Sequence, residues 1–520
     1  MSKTTWILTA ILFFTFILQI VYCWNLPLSG DESVSLLQAA GKAAEYPRHI
    51  PHLPTPIRQI RSLMEYTPGY GISKVLESMV KEGMHPPFYY LFLHLLLRTG
   101  IDNPLFFRFF SILFSCASVY LLYCIAKALQ NEKLAWAAAA LLAVSAYGIH
   151  HSGMVRPYPL LMFLALLSTW LVLQMETASS SRRFLMRLAL YTAVIVVGLY
   201  TLYHFVFVIC FQFFYCLLLY RRHIRQLACL ILSYVLTAAL YLPWLPSFQK
   251  QLHIVRSGTY YFHTTSHPLK FLAILYDELF AGRLFDRYNS LWVLFFFLAA
   301  PIALLGLLKA VRSRRLRRVL AALAVCILFQ LLTDRKMNSH TLATAKFLFF
   351  VMPMSLIFLA EGLAVCWTKG FSGKLLAVLA AAMICLNTLA AFRMPQTVDG
   401  PASLNTFPQQ IHRFADARQP LRLILNKENG RFVLSVAHAL RLDCEIMAVE
   451  NIHLQENFLK DPSLQDSTML AVILFETPQD QADHLKRQAE QAGFSACQII
   501  SCRQGPTEDF LLLLTRCGPT

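Results

Sequence analysis

Long apolar segments alternate with short polar segments over most of the first 392 residues of the chain. A helix needs about 20 apolar residues to cross the hydrocarbon core of a bilayer, so this pattern predicts a bundle of transmembrane helices. Eleven spans are predicted, at 5–23, 104–126, 134–152, 158–176, 187–203, 204–220, 226–246, 290–310, 318–333, 345–367 and 374–392.

From Arg393 onward the chain is mixed polar and charged, and its apolar runs shorten to strand length. A helical pattern at Gln479–Ala492 lies between two of these runs. The predicted buried strands are Leu421–Asn426, Cys444–Val449, Met469–Glu476 and Phe510–Thr515. The predicted fold class is mainly α, with a polytopic membrane bundle at 1–392 and a small soluble α/β domain at 393–520. This domain has no phosphate-binding or nucleophile motif, so we interpret it as a substrate-shaping or partner-binding module.

Composition supports the membrane assignment. The 520 residues are 57% hydrophobic and only 14% charged, which is more apolar than a typical soluble enzyme. The formal net charge of +17 comes from short basic clusters between apolar runs, so it does not indicate a nucleic acid partner. Membrane lipids are the expected surroundings.

The basic clusters fall in alternate loops, as expected for loops on the cytoplasmic side of a membrane. With Lys3 and the amino terminus inside, eleven spans place the carboxyl terminus outside. The inner-loop cations are Lys127, Lys133, Arg182, Arg183, Arg187, Arg221, Arg222, Arg225, Lys309, Arg312, Arg314, Arg315, Arg317, Arg318, Lys369 and Lys374. We predict an integral inner-membrane protein with a cytoplasmic amino terminus and a periplasmic carboxyl-terminal domain. A signal peptide is the alternative for the first span, which lacks a small-residue cleavage site.

The polar segment 24–103 forms the first predicted outer loop, and Asp31 and Glu32 lie close to its start. A carboxylate at the outer membrane surface can accept a proton from an alcohol that attacks an electrophile, so both are candidate catalytic residues. The alternative is a structural role, because Ser29 or Asp31 would be a suitable N-cap for a helix from Glu32 to Ala44.

His85 stands before two prolines and an apolar, aromatic run that extends to Leu97. Proline is common in the first turn of a helix and rare inside one. Pro86 and Pro87 therefore fix where this run starts and place His85 directly before it. His85 is a candidate ligand for a phosphate oxygen or a divalent metal. An ordinary interfacial histidine is the alternative.

Cations also lie near the outer ends of several predicted spans, namely Arg108, Arg156 and Lys346, together with His204. A cation at membrane depth is costly and usually faces a cavity or a partner, although snorkelling explains either arginine taken singly. The predicted topology places these residues near one face with Asp31. Cations and one carboxylate are what an anionic phosphate leaving group and a hydroxyl nucleophile require.

Several short motifs occur in the order found in a known superfamily. They are Asp31-Glu32, His85-Pro86-Pro87-Phe88-Tyr89-Tyr90, Arg108, Val155-Arg156-Pro157-Tyr158, Gly198-Leu199-Tyr200-Thr201-Leu202-Tyr203-His204, Leu242-Pro243-Trp244-Leu245-Pro246 and Lys346-Phe347. With these motifs the chain resembles the GT-C membrane glycosyltransferases. The matching bacterial branch is similar to dolichyl-phosphate-mannose protein mannosyltransferases and the lipid A aminoarabinose transferase.

The resemblance implies an inverting glycosyltransferase with a sugar on a polyprenyl phosphate as its donor. The acceptor would be a hydroxyl of a glycan, a lipid or a protein on the outer face of the membrane. Asp31 would take the proton from that hydroxyl. The residues implied to bind the donor phosphate are Arg108, Arg156, Lys346 and His85, and those implied to contact the substrate are Tyr89, Tyr158 and His204.

Two departures from the superfamily pattern leave points open. The histidine of the Tyr203-His204 stretch is displaced relative to that pattern, so His204 is carried over less directly than Asp31. The aminoarabinose transferase has a lysine where His85 stands, so the resemblance fixes no cofactor, and a divalent metal at His85 remains an alternative. A flippase for lipid-linked sugars is the main alternative from another class. It would place charged residues in mid-span, whereas the candidates here gather at outer ends. A surface polysaccharide polymerase or ligase would use the same lipid chemistry.

Overall fold

The protein was analysed as a computed structural model. The described residues are 3–24, 26–45, 55–82, 85–257, 270–281, 290–337, 339, 341–393, 407, 410–413, 415, 421–425, 430–440, 444–448, 464, 469–477, 479–492, 494–504 and 507–516.

The chain divides into two compact units. The first, called here the membrane unit, comprises Met1–Trp24, Gly83–Tyr89 and Leu105–Arg393. The second, called here the loop–sheet unit, comprises Asn25–Glu82, Tyr90–Pro104 and Met394–Thr520. Most of the first predicted outer loop therefore groups with the carboxyl-terminal segment.

Helices build the membrane unit. They are α1 (Lys3–Cys23), α6 (Pro104–Leu129), α7 (Glu132–Val144), α8 (Ala146–Ser152), α9 (Tyr158–Glu176), α10 (Ser181–Thr201), α11 (Phe205–Tyr220), α12 (Ile224–Tyr241), α13 (Leu245–Ser257), α14 (Lys270–Tyr276), α15 (Ser290–Arg312), α16 (Arg314–Met337), α17 (Val351–Trp367) and α18 (Gly370–Arg393). Short 3₁₀ turns at Leu242–Trp244, Thr341–Ala343 and Ala345–Leu348 and a π turn at Asp277–Ala281 connect some of them.

Eight helical segments in the described part of the chain are long and apolar enough to cross a membrane. Three shorter apolar helices are α11, α17 and Phe88–Leu97. The protein is therefore an integral, multi-pass membrane protein with a mainly helical fold. The predicted span 158–176 coincides with α9, and the other predicted spans overlap the helices that the structure contains.

The predicted span 134–152 is wrong as a single helix. The structure ends α7 at Val144 and starts α8 at Ala146, with an extended backbone at Ser145. The Ser145 hydroxyl accepts a hydrogen bond from the main-chain N–H of Gly148 at 3.0 Å, which caps the second helix. A serine that caps a helix interrupts the apolar run without any charge to signal it.

Six helices among the described residues lie wholly or mostly in the loop–sheet unit. Five of them are α2 (Gly30–Ala39), α3 (Ile57–Ser62), α4 (Ile72–Glu82) and α5 (Phe88–Leu97) in the first loop, and α19 (Gly430–Ala439) near the carboxyl end. The sixth, α20 (Gln479–Gln491), agrees with the predicted helix there. Helix α5 starts directly after Pro87, as the two prolines predict. The boundary between the two units falls within α5.

A six-stranded sheet forms the centre of the loop–sheet unit. Its strands are β1 (Thr55–Pro56), β2 (Leu421–Leu425), β3 (Glu445–Ala448), β4 (Met469–Thr477), β5 (Phe494–Gln504) and β6 (Thr507–Arg516), in the spatial order β1-β3-β2-β4-β6-β5. Strand β2 runs parallel to β3 and β4, while β6 is antiparallel to β4 and β5. The α/β prediction is confirmed by this arrangement.

Two strands were not predicted from the sequence. Strand β5 lies at one edge of the sheet, and its pairing with β6 shifts between Ala496 and Gln498, which breaks the alternation of apolar and polar residues. Strand β1 has two residues and pairs with β3, with Thr55 opposite Ile446. The first loop thus contributes a strand to the sheet of the carboxyl-terminal segment.

Candidate active site

Arg156, Tyr158, Phe347 and His204 form a continuous chain of contacts in the membrane unit. The Arg156 guanidinium carbon lies 5.8 Å from the centroid of the Tyr158 ring, a cation–π geometry. The Tyr158 ring meets the Phe347 ring edge-on, with centroids 6.0 Å apart. The His204 imidazole stacks on Phe347 at 4.3 Å with an interplanar angle of 16°. Three motifs that are distant in sequence therefore meet here.

Lys346 immediately precedes Phe347, in the 3₁₀ turn that leads into α17, and its side chain is buried. Arg156 is also buried. A buried cation needs compensating charge or hydrogen bonds, because desolvation of an ammonium or guanidinium group is expensive. Both cations lie beside the same aromatic chain, and arginine and lysine are the side chains that commonly bind phosphate.

Arg108 lies in the first turns of α6 and is buried. One turn further along α6, the Ser111 hydroxyl donates a hydrogen bond to the main-chain oxygen of Met154 at 2.7 Å. Residues three apart occupy neighbouring positions on one helix surface, so Arg108 lies on the side of α6 that faces the loop carrying Arg156. The third predicted cation thus belongs to the same part of the membrane unit.

A hydrogen-bonded network joins two further motifs to the one that contains His204. The Gln251 amide donates to the main-chain oxygen of His85 at 3.1 Å, and its oxygen accepts a hydrogen bond from the Tyr203 hydroxyl. The Trp244 indole N–H in turn donates to the Tyr203 hydroxyl at 3.0 Å. Because Tyr203 directly precedes His204, this network connects the segment around His85 with the aromatic chain.

His204 lies in the turn between α10 and α11, outside both helices. Its side chain is half-buried. Loss of hydration lowers the pKa of the imidazole to about 4, while nearby Asp334 raises this pKa and His85 lowers it. At neutral pH the ring is therefore uncharged. A neutral ring stacked on Phe347 contributes shape and hydrogen-bonding capacity rather than charge.

Asp334 fixes the segment that leads to Lys346. One carboxylate oxygen accepts hydrogen bonds from the hydroxyls of Ser339 at 2.6 Å and Thr341 at 2.8 Å, and the other accepts the Leu342 N–H at 3.0 Å. Sequence reasoning missed both Asp334 and Gln251. The signal for Asp334 was an acidic side chain at the end of an apolar span, where a buried acid needs several donors.

The two acidic candidates belong to the loop–sheet unit, and both are buried in the first turn of α2. Ser29 is the N-cap: its hydroxyl accepts the Glu32 N–H at 3.2 Å, while the Glu32 carboxylate accepts the Ser29 N–H at 2.8 Å. This capping box confirms Ser29 as the cap, but α2 spans Gly30–Ala39 and not Glu32 to Ala44 as predicted. Glu32 has a structural task here that Asp31 does not share.

Tyr89 lies at the start of α5 and is buried. Within the described residues, no three histidine, cysteine, aspartate or glutamate side chains are grouped so that they could hold a metal ion. The Gln251 hydrogen bond holds the main chain at His85.

Part of the chain matches a model of a known protein family. Residues 84–246 match the family model described as dolichyl-phosphate-mannose-protein mannosyltransferase, a range that contains His85, Arg108, Arg156 and His204. No curated protein matches the sequence.

Three solved structures are similar to the chain as a whole. ArnT from Cupriavidus metallidurans bound to undecaprenyl phosphate has a TM-score of 0.55 at 11% identity, covering 98% of each chain. The apo form of ArnT gives 0.51 at 11% identity, with the same coverage. The Archaeoglobus fulgidus oligosaccharyltransferase AglB, in complex with an inhibitory peptide and a dolichol-phosphate, gives 0.47 at 12% identity and covers 98% of this chain and 74% of that one.

At this level of identity the likeness to ArnT concerns the fold. Together with the family match, it confirms that the chain resembles the GT-C glycosyltransferases.

Proposed function

Starting from the GT-C resemblance, we propose that the chain is an inverting glycosyltransferase. It moves a sugar from a polyprenyl phosphate to an acceptor hydroxyl on the outer face of the membrane. The observation that carries the proposal is the contact chain Arg156–Tyr158–Phe347–His204, with Lys346 beside it. It assembles cations and aromatic rings in the unit that contains most of the family match.

Arg156, Lys346 and Arg108 bind the donor phosphate in this proposal. Arginine offers two parallel N–H donors to phosphate oxygens, and a buried guanidinium retains its charge because its pKa is far above neutral. These cations stabilise the negative charge that gathers on the phosphate as the bond to the sugar breaks. Tyr158, Tyr89 and His204 contact the sugar, because aromatic rings and a neutral imidazole suit its apolar faces and hydroxyls.

Asp31 is the proposed general base. It accepts the proton of the acceptor hydroxyl, and the oxygen attacks the anomeric carbon from the side opposite the phosphate. The carbon–oxygen bond to the phosphate breaks, its electron pair leaves with the polyprenyl phosphate, and the anomeric configuration inverts. One carboxylate is sufficient for a single displacement, whereas a retaining mechanism needs two about 5–5.5 Å apart. Glu32 keeps the start of α2 in place.

The proposed orientation follows from the basic inner loops, with the amino terminus in the cytoplasm and the carboxyl-terminal segment on the periplasmic side. The sugar is hexose or pentose.

Mass spectrometry of envelope glycans and glycolipids tests the proposal directly. Cells with and without the gene are compared, and the product that disappears identifies the sugar and the acceptor together. We expect one glycosylated species to be lost and then restored when the gene is supplied again. Identical envelopes, with the protein present in the membrane of the gene-bearing cells, would overturn the proposal.

A further inference from the structure

Helix α19 of the carboxyl-terminal segment packs directly against α2, the helix that carries Asp31. The Ser33 and Ser435 hydroxyl oxygens approach to 3.5 Å across this contact. Both side chains are completely buried. Two serines facing each other permit a close approach of helix backbones that larger side chains would prevent, so α19 sets the position of α2 along this side.

His438 fixes the carboxyl-terminal end of α19. Its Nε2 atom lies 3.1 Å from the Asp102 carboxylate, and the imidazole is buried while Asp102 is partly exposed. Asp102 belongs to the turn that follows α5. A buried side chain with a charged partner is held in one rotamer. Loss of that partner lowers stability more than the same loss would at the surface.

Helix α5 in turn holds the far end of α2. The His94 Nδ1–H donates a hydrogen bond to the main-chain oxygen of Ala39 at 2.8 Å, and this oxygen is one of the acceptors that a helix leaves unused at its carboxyl end. The contacts of α2 with α19, of α19 with the turn after α5, and of α5 with α2 form a closed circuit within the loop–sheet unit.

We infer that Ser435 and His438 are positioning residues for the proposed transfer reaction, acting through α2 on Asp31. The inference depends on the proposed function, because it gives the carboxyl-terminal segment a part in that reaction. Ser33 lies two residues from Asp31 in a helix of only ten residues, so a shift at the Ser435 contact moves the whole first turn. A catalytic base must be placed accurately, and an error of about 1 Å costs about 10²-fold in rate.

The test uses two substitutions in the full-length protein. Ser435→Leu inserts a larger side chain between the helices, and His438→Leu removes the donor to Asp102. His484→Leu is the matched control, because His484 lies on α20 in the same unit, is exposed, and contacts Gln488. Ser435→Ala and His438→Gln are the milder pair. They replace the first two variants if either of those does not reach the membrane.

Three measurements separate positioning from general stability. Hydrogen exchange of residues 30–39 in the purified protein reports the order of α2, whatever the reaction is. We expect exchange to accelerate by about tenfold for His438→Leu, as when one buried hydrogen bond is lost. The level of the glycosylated product in cells should fall by about 10²-fold. Undecaprenyl phosphate is used alone as the binding probe. Its affinity should stay within twofold of the wild-type value, which corresponds to a change of less than about 0.4 kcal/mol in the binding free energy.

Each other outcome counts against the inference. Faster exchange in α2 with an unchanged product level would show that the placement of α2 has no influence on the reaction. Unchanged exchange with reduced product would show that the two residues act elsewhere. A parallel loss of undecaprenyl phosphate binding would indicate general unfolding. If His438→Gln restores the product that His438→Leu loses, the donor to Asp102 is the feature that matters.

The same experiment distinguishes failure of the inference from failure of the proposed function. Asp31→Asn is measured alongside. If Asp31→Asn makes as much product as the wild type, Asp31 is not the base. The positioning role of Ser435 and His438 is then wrong as well. If Asp31→Asn loses the product while both α19 variants keep it, only the inference is wrong.

Discussion

The imidazole of His204 stacks on the ring of Phe347, with centroids 4.3 Å apart and planes inclined by 16°. The two residues are 143 positions apart in the sequence, and neither their spacing nor their surroundings predicts the stack. The contact joins the end of α10 to the turn before α17. It therefore fixes Lys346, the neighbour of Phe347, relative to the turn between α10 and α11. The edge-on contact of Phe347 with Tyr158 extends this link to the start of α9, next to Arg156.

Asp31→Asn should abolish sugar transfer and leave the protein folded. The amide keeps the shape of the carboxylate but does not accept a proton, so we expect the product to fall by about 10²–10⁴-fold. The measurement is the level of the gene-dependent glycan or glycolipid in cells that carry only the variant. Glu77→Gln is the matched control, because Glu77 is an exposed acid of the same unit that pairs with Lys74 and Lys81. Full activity of Asp31→Asn would remove Asp31 as the base.

Glu32→Gln should retain most of the transfer activity. Glutamine in the same position also reaches back to the N-cap, so the capping box with Ser29 survives the substitution. Ser29→Ala removes the cap itself and should lower the free energy of unfolding by about 0.5–2 kcal/mol, seen in chemical unfolding of the purified protein. A loss of transfer in Glu32→Gln as complete as that in Asp31→Asn would instead give Glu32 a share in the chemistry.

Arg156→Ala should weaken binding of the lipid phosphate more than any step that involves the acceptor. Loss of a charge-assisted hydrogen bond to phosphate predicts an affinity for undecaprenyl phosphate lower by about 10- to 100-fold. Native mass spectrometry or a fluorescence titration of purified protein measures this affinity. Arg183→Ala serves as the comparison, since Arg183 is exposed at the start of α10 and bonds to Ser179. Equal affinities for the two variants would exclude Arg156 from the phosphate site.

Gln251→Leu should destabilise the membrane unit and reduce transfer together. It removes the acceptor of the Tyr203 hydroxyl and the donor to the main chain at His85, and each unsatisfied buried group costs about 1–3 kcal/mol. The thermal midpoint of detergent-purified protein measures the loss. Tyr200→Phe removes a single exposed hydrogen bond to Leu240 and should change the midpoint far less. A similar midpoint for both variants would contradict a structural role for the Gln251 network.

A reporter attached after Thr520 should be active on the periplasmic side. The expectation comes from the basic residues of the inner loops, such as Arg314 and Arg315, which remain in the cytoplasm during insertion. A phosphatase that folds only in an oxidising compartment is a suitable reporter, with a fusion after Arg183 as the cytoplasmic comparison. A cytoplasmic signal from the Thr520 fusion would show that the proposed orientation is reversed or that the number of spans is wrong.

The helices of the membrane unit follow from length and hydrophobicity, which is why α9 coincides with its predicted span. The break at Ser145 did not follow, because the cap that produces it is a local geometry that one serine can adopt or avoid. In the loop–sheet unit, the strands with continuous apolar runs such as β4 were predicted. Strand β1 was not predicted, because it has only two residues and is defined by its pairing with β3.

The site was predicted unevenly for a similar reason. Charged residues near span ends are visible in a sequence, so Arg108, Arg156 and Lys346 could be proposed as a group. Gln251 could not, because its importance lies in a group that it bonds across the fold. Asp334 was also missed, because its bonds to the segment that follows it depend on the local folding of that segment. The motif that contains Asp31 was visible, but its division into a cap and a candidate base required the capping geometry of Ser29 and Glu32.

The pairing of β1 with β3 has a consequence for biogenesis. Thr55 leaves the ribosome early, whereas its partner Ile446 is among the later residues to be made. Translation adds about 5–20 residues per second, so the segment that carries α2 waits through most of synthesis before its sheet exists. A polypeptide released prematurely can still insert its helices, yet it lacks β3. The first loop therefore gains its place in the sheet only after translation has passed β3.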